Sequence, residues 1–194
     1  MASHSYSYEQ IWQKVLQNDM KALEELYKQF YPDLFAYALK LTNNSQLSED
    51  AIHDTFLYLW KHRHRIGKIK SLKYYLIKSV RNSCLKLIQR KNKLSSLEEV
   101  EGQIKWNILP EELELSDSKI ETKKLVQKAL AELSNRQREI IFLKFFNNLD
   151  YEEIADLLDI NYQSVVNHVH RAIQKLRKSS LLRFFVVLVA FLEN

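Results

Sequence analysis

Hydrophobic residues recur at helical spacing along most of the chain, and the clearest pattern lies between 150 and 178. Ile154, Ala155 and Leu158 form a short apolar stripe there. Asp150 and Glu153 lie just before this stripe and have the spacing of a capping box. In a capping box, the two side chains accept hydrogen bonds from free N–H groups at the start of a helix. We therefore predict a short helix that begins after Asp150 and ends before residues 159–161.

A second helix is predicted directly after that break. Asn161 can cap its first turn, and the apolar residues that follow have the spacing of one helix face: Val165, Val169, Ala172 and Leu176. The polar residues on its other side are Ser164, Asn167, His168, Arg171 and Lys175. Two short helices joined by a tight turn, with a polar and basic second helix, are typical of a helix-turn-helix that binds DNA.

An ordinary helical hairpin with a solvated face is the alternative, and such hairpins are far commoner than DNA-binding ones. The distribution of charge favours DNA. No acidic residue lies between Asp159 and Glu193, whereas several basic residues do. A surface that approaches phosphates needs such an excess of positive charge.

The first half of the chain is also predicted to be helical. Apolar spacing indicates helices over 8–17 and 20–30, and Pro32 either kinks the second of these or starts a new helix. A further helix is predicted at 48–60, with Ser48 at its start. On the side opposite its apolar stripe, Asp50, His53 and Asp54 form a small acidic face, which by spacing alone is best interpreted as a solvated surface.

From Lys61 to Leu97 the chain contains twelve basic residues and no acidic one. Tyr74 and Tyr75 lie among them, and aromatic side chains beside a basic groove can stack on unpaired bases. Apolar spacing from Leu72 to Ile88 indicates a helix with one packed face, preceded by a loop around Gly67. We interpret the stretch as a nucleic-acid surface, and an anionic membrane surface is the alternative.

A change of composition separates two predicted domains. Between 92 and 118, seven acidic residues stand against two basic ones and no apolar period is sustained, which indicates a linker. We predict a helical domain at 1–92, an acidic linker at 93–118 and a second helical domain at 119–194 that contains the helix-turn-helix. Within the second domain, Ser134 and Gln137 have capping-box spacing. Because the chain has only two glycines and two prolines, the predicted fold class is all-α.

Composition narrows the classes of function. The net charge of +5 favours a polyanionic partner over acidic substrates. No carboxylate cluster, phosphate loop or metal-ligand spacing is present, so we expect neither an enzyme nor a cofactor. The single cysteine, Cys84, cannot form an internal disulfide and is expected to fill the core of a protein in a reduced, cytoplasmic setting. No signal peptide opens the sequence.

Three segments together resemble the sigma-70 superfamily of bacterial RNA polymerase sigma factors. They are Ser48–Trp60 (SEDAIHDTFLYLW), Tyr75–Arg90 (YLIKSVRNSCLKLIQR) and Leu133–Arg177. Two domains with an acidic linker and no further domain look like the extracytoplasmic-function (ECF) subgroup. The resemblance implies a protein that binds core polymerase and directs it to promoters.

The resemblance also implies roles for individual residues. Those implied to bind the clamp helices of the polymerase β′ subunit are Asp50, His53 and Asp54. Those implied to bind the −10 promoter element are Arg63, Arg65, Tyr75, Lys78, Arg81 and Asn82. Those implied to bind the −35 element are Ser164, Asn167, His168, Arg171 and Lys175. Asp159 stands where the family usually has a turn glycine, and aspartate tolerates the left-handed conformation better than most residues.

Two other functions compete with this one. A stand-alone helix-turn-helix regulator would carry a sensing domain in the first half of the chain. Such a domain should contain an apolar pocket or a phosphoacceptor site, whereas this half contains the strongest basic stretch of the sequence. An RNA-processing enzyme would need catalytic groups, and the six histidines are scattered.

The last feature is the apolar tail at 181–192. Its uninterrupted apolar run is shorter than the roughly 20 residues that span a bilayer, so we expect no stable membrane insertion. Packing in the core and contact with a membrane surface are the alternatives to a protein-binding surface. Because the family is often inhibited by anti-sigma proteins, such a partner, or self-association, is the hypothesis for this tail.

Overall fold

The computed structural model describes residues 8–106 and 130–178, which fall into two units. The first unit is Met1–Ile104 and the second is Lys105–Asn194. Regular structure in the described residues is helical throughout, without a strand, as the all-α prediction requires. The exact limits predicted for the domains, at 92 and 118, stay a prediction.

Five helices build the described part of the first unit. They are α1 (Tyr8–Leu16), α2 (Met20–Thr42), α3 (Ser45–Ile66), α4 (Leu72–Asn92) and α5 (Leu97–Gln103). Helices α2, α3 and α4 pack against one another, α1 packs on α2, and α5 packs on α4. The core that they enclose combines fully buried aliphatic side chains, such as Leu26, Ile52 and Leu76, with aromatic ones, such as Tyr37 and Phe56. Cys84 is buried here as expected.

Two details of this unit differ from the sequence-based expectations, and a third excludes one of two alternatives, because no new helix starts at Pro32. Helix α2 runs through Pro32, which is exposed, so water can satisfy the carbonyl that the missing proline N–H leaves free. Helix α3 begins at Ser45 with Asn44 as its cap, so Ser48 does not start it. Ser48 is instead buried and donates to the Asn44 carbonyl at 2.8 Å. Helix α5 lies where a linker without sustained periodicity was expected.

The described part of the second unit contains α6 (Asn135–Phe145), α7 (Tyr151–Leu157) and α8 (Tyr162–Lys178). Both predicted capping boxes are confirmed, at Ser134 with Gln137 and at Asp150 with Glu153. Helices α7 and α8 pack together, and the predicted apolar stripe of α8 is buried, from Val165 to Leu176.

The turn between α7 and α8 has the conformation that the sequence predicts. Asp159 has a φ of 52°, in the left-handed region, where its short polar side chain is tolerated. Asn161 then caps α8 by accepting the backbone N–H of Ser164 at 2.7 Å. The pair α7–α8 is therefore a helix-turn-helix.

Two predicted segments lie outside the described residues. One is the apolar tail at 181–192. The other is most of the amphipathic helix that the sequence predicts at 119–133, at the start of the second domain. No helix within 8–106 or 130–178 combines the length and the apolar character that crossing a membrane requires.

Candidate nucleic-acid interfaces and an acidic docking face

The face of α8 that points away from the core is set by the four buried positions of its stripe. The residues farthest from that stripe and exposed to solvent are Gln163, Asn167, His170, Arg171 and Gln174. Two contacts order this face. Gln163 Nε2 donates to Asn167 Oδ1 at 3.3 Å, and the Gln174 amide lies 2.8 Å from His170 Nε2. Amide, imidazole and guanidinium groups on one exposed face match the edges of bases in a major groove.

Three of the predicted −35 residues lie on a flank of α8 instead. Lys175 Nζ donates to the carbonyl of Glu132 at 3.0 Å and to Gln137 Oε1 at 3.3 Å, so this flank faces the start of α6. Ser164 and His168 lie on the same flank and are half-buried. Of the predicted set, only Asn167 and Arg171 belong to the outermost face as well.

The position of His168 affects its titration. Its pKa is lowered mainly by burial and further by the positive charges of Arg136 and Arg171. At neutral pH the imidazole is therefore neutral, and it adds no positive charge to the flank.

The sequence-based prediction missed Gln163, His170 and Gln174. The signal was present, because these residues lie three, four or seven positions from Asn167 and share its side of a helix. The predicted set instead included Ser164, His168 and Lys175, which lie on the flank that faces α6.

In the first unit, one face of α4 carries Tyr75, Lys78 and Asn82 at helical spacing. Asn82 is exposed, and Tyr75 and Lys78 are half-buried. Lys78 Nζ lies 5.5 Å from the ring centre of Tyr74, within the range of a cation–π contact. Burial raises the pKa of Tyr75, so its hydroxyl stays protonated. An aromatic, a cation and an amide on one surface suit single-stranded nucleic acid.

The two arginines at the end of α3 have different surroundings. The Arg63 guanidinium stacks 4.0 Å above the Trp60 ring, and its Nε donates to Asn18 Oδ1 at 3.0 Å. Arg63 is therefore bound within the unit, whereas Arg65 is exposed.

Arg81, which is also in the predicted −10 set, is buried in the conformation described. It is only 4% exposed, and its Nη2 lies 2.9 Å from Glu101 Oε1 of α5. The helical spacing that places Arg81 beside Lys78 could not reveal that α5 covers it. The role of Arg81 at the −10 element stays a prediction, and in the conformation described its guanidinium is covered by α5.

The acidic face of α3 is accessible. Asp54 and His53 are exposed, and Asp50 is half-buried and accepts from Gln46 Nε2 at 3.1 Å. The His53 ring stacks on Tyr27 of α2, with ring centres 5.9 Å apart.

An apolar groove adjoins this acidic face. It has a volume of about 420 Å³ and is lined by Met20, Leu23, Glu24, Tyr27, His53, Phe56, Leu57 and Trp60. Leu57 and Met20 are 67% and 56% exposed, which is unusual for large apolar side chains. Exposed apolar surface with an acidic border is typical of a protein-binding site.

The chemistry of a catalytic site is not evident in the described residues. No group of three or more His, Cys, Asp or Glu side chains within 8–106 and 130–178 is arranged to hold a metal ion. Burial raises the pKa of the Cys84 thiol to about 12, so it is not a nucleophile at neutral pH.

Two family models match the chain. The model described as Sigma-70 region 2 matches residues 26–94, and the one described as Sigma-70, region 4 matches residues 123–176. The first match covers α3, α4 and most of α2, and the second covers the helix-turn-helix. Together the two matches span more than half of the chain.

Known proteins of similar sequence carry related names. The chain is 22% identical over 156 residues to the ECF RNA polymerase sigma factor SigM of Bacillus subtilis, covering 80% of this chain and 93% of that protein. It is 25% identical over 161 residues to the RNA polymerase sigma factor YlaC of Bacillus subtilis, covering 81% of this chain and 91% of that protein.

A solved structure shares the fold. It is the sigma factor RpoE in complex with the anti-sigma factor NepR from Bartonella quintana. The match has a TM-score of 0.58 at 22% identity and covers 84% of this chain and 99% of that chain.

Proposed function

The chain belongs to the sigma-70 family as an ECF-type RNA polymerase sigma factor. We propose that its first unit binds core polymerase and the −10 element and that its second unit binds the −35 element. A sigma factor binds core polymerase and directs it to specific promoters. The matches of region 2 and region 4, in that order along the chain, are the observation on which this function rests. The alternative of a stand-alone regulator is set aside, because the first unit matches a sigma region and not a sensing domain.

The first unit is proposed to dock on core polymerase through α3. Asp50, His53 and Asp54 supply its polar contacts to the β′ clamp helices, and the neighbouring groove with Leu57 supplies apolar area. Several half-exposed apolar side chains beside an acidic border would bury surface at the centre of such an interface and keep charge at its rim.

The −10 element is proposed to bind the basic stretch of α3 and α4. Lys78, Asn82 and Tyr75 form the central surface, because they share one accessible face of α4. Arg65 extends this surface at the end of α3, and Arg63 contributes mainly by holding the helix end on Asn18.

The −35 element is proposed to bind the outermost face of α8. Asn167 and Arg171, with Gln163, His170 and Gln174, are proposed to contact base edges in the major groove, because they are exposed on one face of α8. The flank with Ser164, His168 and Lys175 adjoins α6 and is proposed to hold α8 in place and to border the phosphates.

The protein is proposed to be a regulatory subunit without catalytic chemistry of its own, acting in the cytoplasm where core polymerase works. An anti-sigma protein is a further proposed partner. This proposal is supported by the structural relative RpoE, whose solved structure is described as a complex with the anti-sigma factor NepR.

Run-off transcription tests the function directly. Core polymerase would be incubated with genomic fragments, with and without the full chain. We expect discrete transcripts only when the chain is present. The variant Asn167→Ala should change which fragments yield transcripts and leave binding to core polymerase intact. Transcripts that do not depend on the chain, or the absence of a complex with core polymerase, would contradict the proposal.

A further inference from the structure

Helix α5 is short and acidic, and it is held on α4 by few contacts. It has seven residues, whereas isolated helices shorter than about 12 are marginal in water. Glu98 and Glu99 lie in its first turn and are exposed. Val100 is fully buried, and Ile104 directly after the helix is 8% exposed. The helix thus depends on docking to α4, and a small set of contacts holds it there.

One polar contact in this docking is the ion pair between Arg81 and Glu101. The atoms Nη2 and Oε1 lie 2.9 Å apart, and the two side chains are 5% and 33% exposed. A guanidinium this deeply buried is stable only while a carboxylate or other acceptors compensate its charge. If α5 leaves, Arg81 therefore gains by turning toward water or toward another anion.

The place of Arg81 on α4 determines what that anion would be. Arg81 follows Lys78 by three residues and precedes Asn82, so it lies at the edge of the surface assigned to the −10 element. An uncovered Arg81 would add a forked cation to that surface. Phosphate is the group that such a side chain binds in bidentate geometry.

We propose that α5 is a displaceable acidic cover and that Arg81, once uncovered, is an additional contact for the phosphates of single-stranded DNA. The proposal rests on the assignment of α4 to the −10 element. In the covered state Glu101 pairs with the guanidinium, so Arg81 is not available to DNA. Displacement of α5 exchanges a carboxylate for a phosphate, so the cover lowers the affinity of the free protein for DNA.

Two variants of the full chain would uncover Arg81 by different routes. Glu101→Gln removes the charge that pairs with Arg81. Val100→Asn places an amide in the buried apolar contact without changing the net charge. Glu98→Gln is the matched control, because it removes one exposed carboxylate from the same helix and leaves the ion pair intact.

The first measurement is hydrogen exchange of the amides at 98–104. We expect exchange to accelerate at least tenfold in Glu101→Gln and Val100→Asn and to stay near the wild-type rate in Glu98→Gln. Circular dichroism should show an unchanged helix content apart from α5. If neither variant accelerates exchange, α5 is a fixed part of the unit and the proposal is wrong.

The second measurement is the affinity of the same proteins for a 20-nucleotide single-stranded DNA of mixed sequence. Both uncovering variants should bind about fivefold to tenfold more tightly than the wild type. The slope of log affinity against log salt should steepen by about 0.7, the value for one more phosphate on a single strand. Glu98→Gln should change the affinity by less than about twofold, because the Glu98 carboxylate is exposed to solvent and the ion pair of Arg81 with Glu101 is kept.

Adding Arg81→Ala to each uncovering variant should cancel the gain, because the gain is assigned to this guanidinium. Accelerated exchange without tighter binding, or a gain that survives Arg81→Ala, would overturn the proposal. Neither assay uses polymerase. A wild-type chain that fails in run-off transcription therefore refutes the proposed function, while these assays still decide whether α5 covers Arg81.

Discussion

Replacement of Asn167 by alanine is the sharpest test of the recognition surface on α8. The side chain is exposed, and the hydrogen bond that it accepts from Gln163 is long, at 3.3 Å, and open to water. Its loss should cost the free protein no more than about 0.5 kcal/mol. The greater helix propensity of alanine offsets a similar amount. The fold should therefore be unaffected.

In the DNA complex the loss is larger. An asparagine amide pairs with the N6 and N7 edge of adenine through two hydrogen bonds, and such a pair contributes about 1–3 kcal/mol of discrimination. Asn167→Ala should thus weaken binding to preferred −35 sequences by about 5-fold to 150-fold. Sequences without adenine at the contacted position should be bound almost as well as by the wild type.

Lys175→Ala provides the contrast. Its ammonium donates to the Glu132 carbonyl and to Gln137 Oε1, so it acts within the second unit. Since Lys175 is exposed, the loss of these two contacts should cost about 1 kcal/mol of stability. Binding should weaken for all promoters alike. The salt slope should change by less than the roughly 0.9 expected for one phosphate contact on duplex DNA.

The assay is selection of promoters from a library with a randomised −35 element, using polymerase reconstituted with each variant. Anisotropy titrations on selected duplexes at several salt concentrations then give affinities and slopes. We expect a changed base preference for Asn167→Ala only. If both variants weaken every sequence equally, α8 contacts phosphates and not bases. A drop of 0.9 in the slope for Lys175→Ala would show that its ammonium leaves α6 to bind DNA.

Three further predictions follow from the structure. The double variant Asp50→Arg with Asp54→Arg should reduce binding to core polymerase at least tenfold in a pull-down assay. Its circular dichroism spectrum should be unchanged. If the folded variant binds core polymerase as well as the wild type, α3 is not part of the interface. Because the pKa of His168 is lowered in the folded state, the unfolded chain binds more protons, so the stability of the second unit should fall as pH drops through about 6.5. In urea titrations at several pH values, the stability of His168→Gln should depend less on pH than that of the wild type. The same pH profile in both proteins would contradict this. The buried Cys84, with its pKa raised to about 12, should not react with iodoacetamide at pH 8 until guanidinium unfolds the chain. Alkylation of the folded protein, detected by mass spectrometry, would contradict this.

The local features of the fold could be predicted from the amino-acid sequence alone. Both capping boxes, the cap at Asn161, the left-handed Asp159 and the buried stripe of α8 follow from interactions between residues a few positions apart. Such interactions depend on side-chain chemistry and helical geometry, which are the same in every protein. The order of the segments also sufficed to predict the family, because both sigma regions carry recognisable sequence patterns.

Only the tertiary structure decided which polar residues are accessible. A helical wheel places Arg81 beside Lys78, but α5, twenty residues further along the chain, covers it through Glu101. Likewise Lys175, although exposed, donates to the Glu132 carbonyl just before α6, and the outermost face of α8 carries His170 and Gln174 instead. Long-range packing leaves no periodic signal in the sequence, because any amphipathic neighbour can cover a given flank. Accessibility is therefore settled by the partner helix and not by the helix that carries the residue.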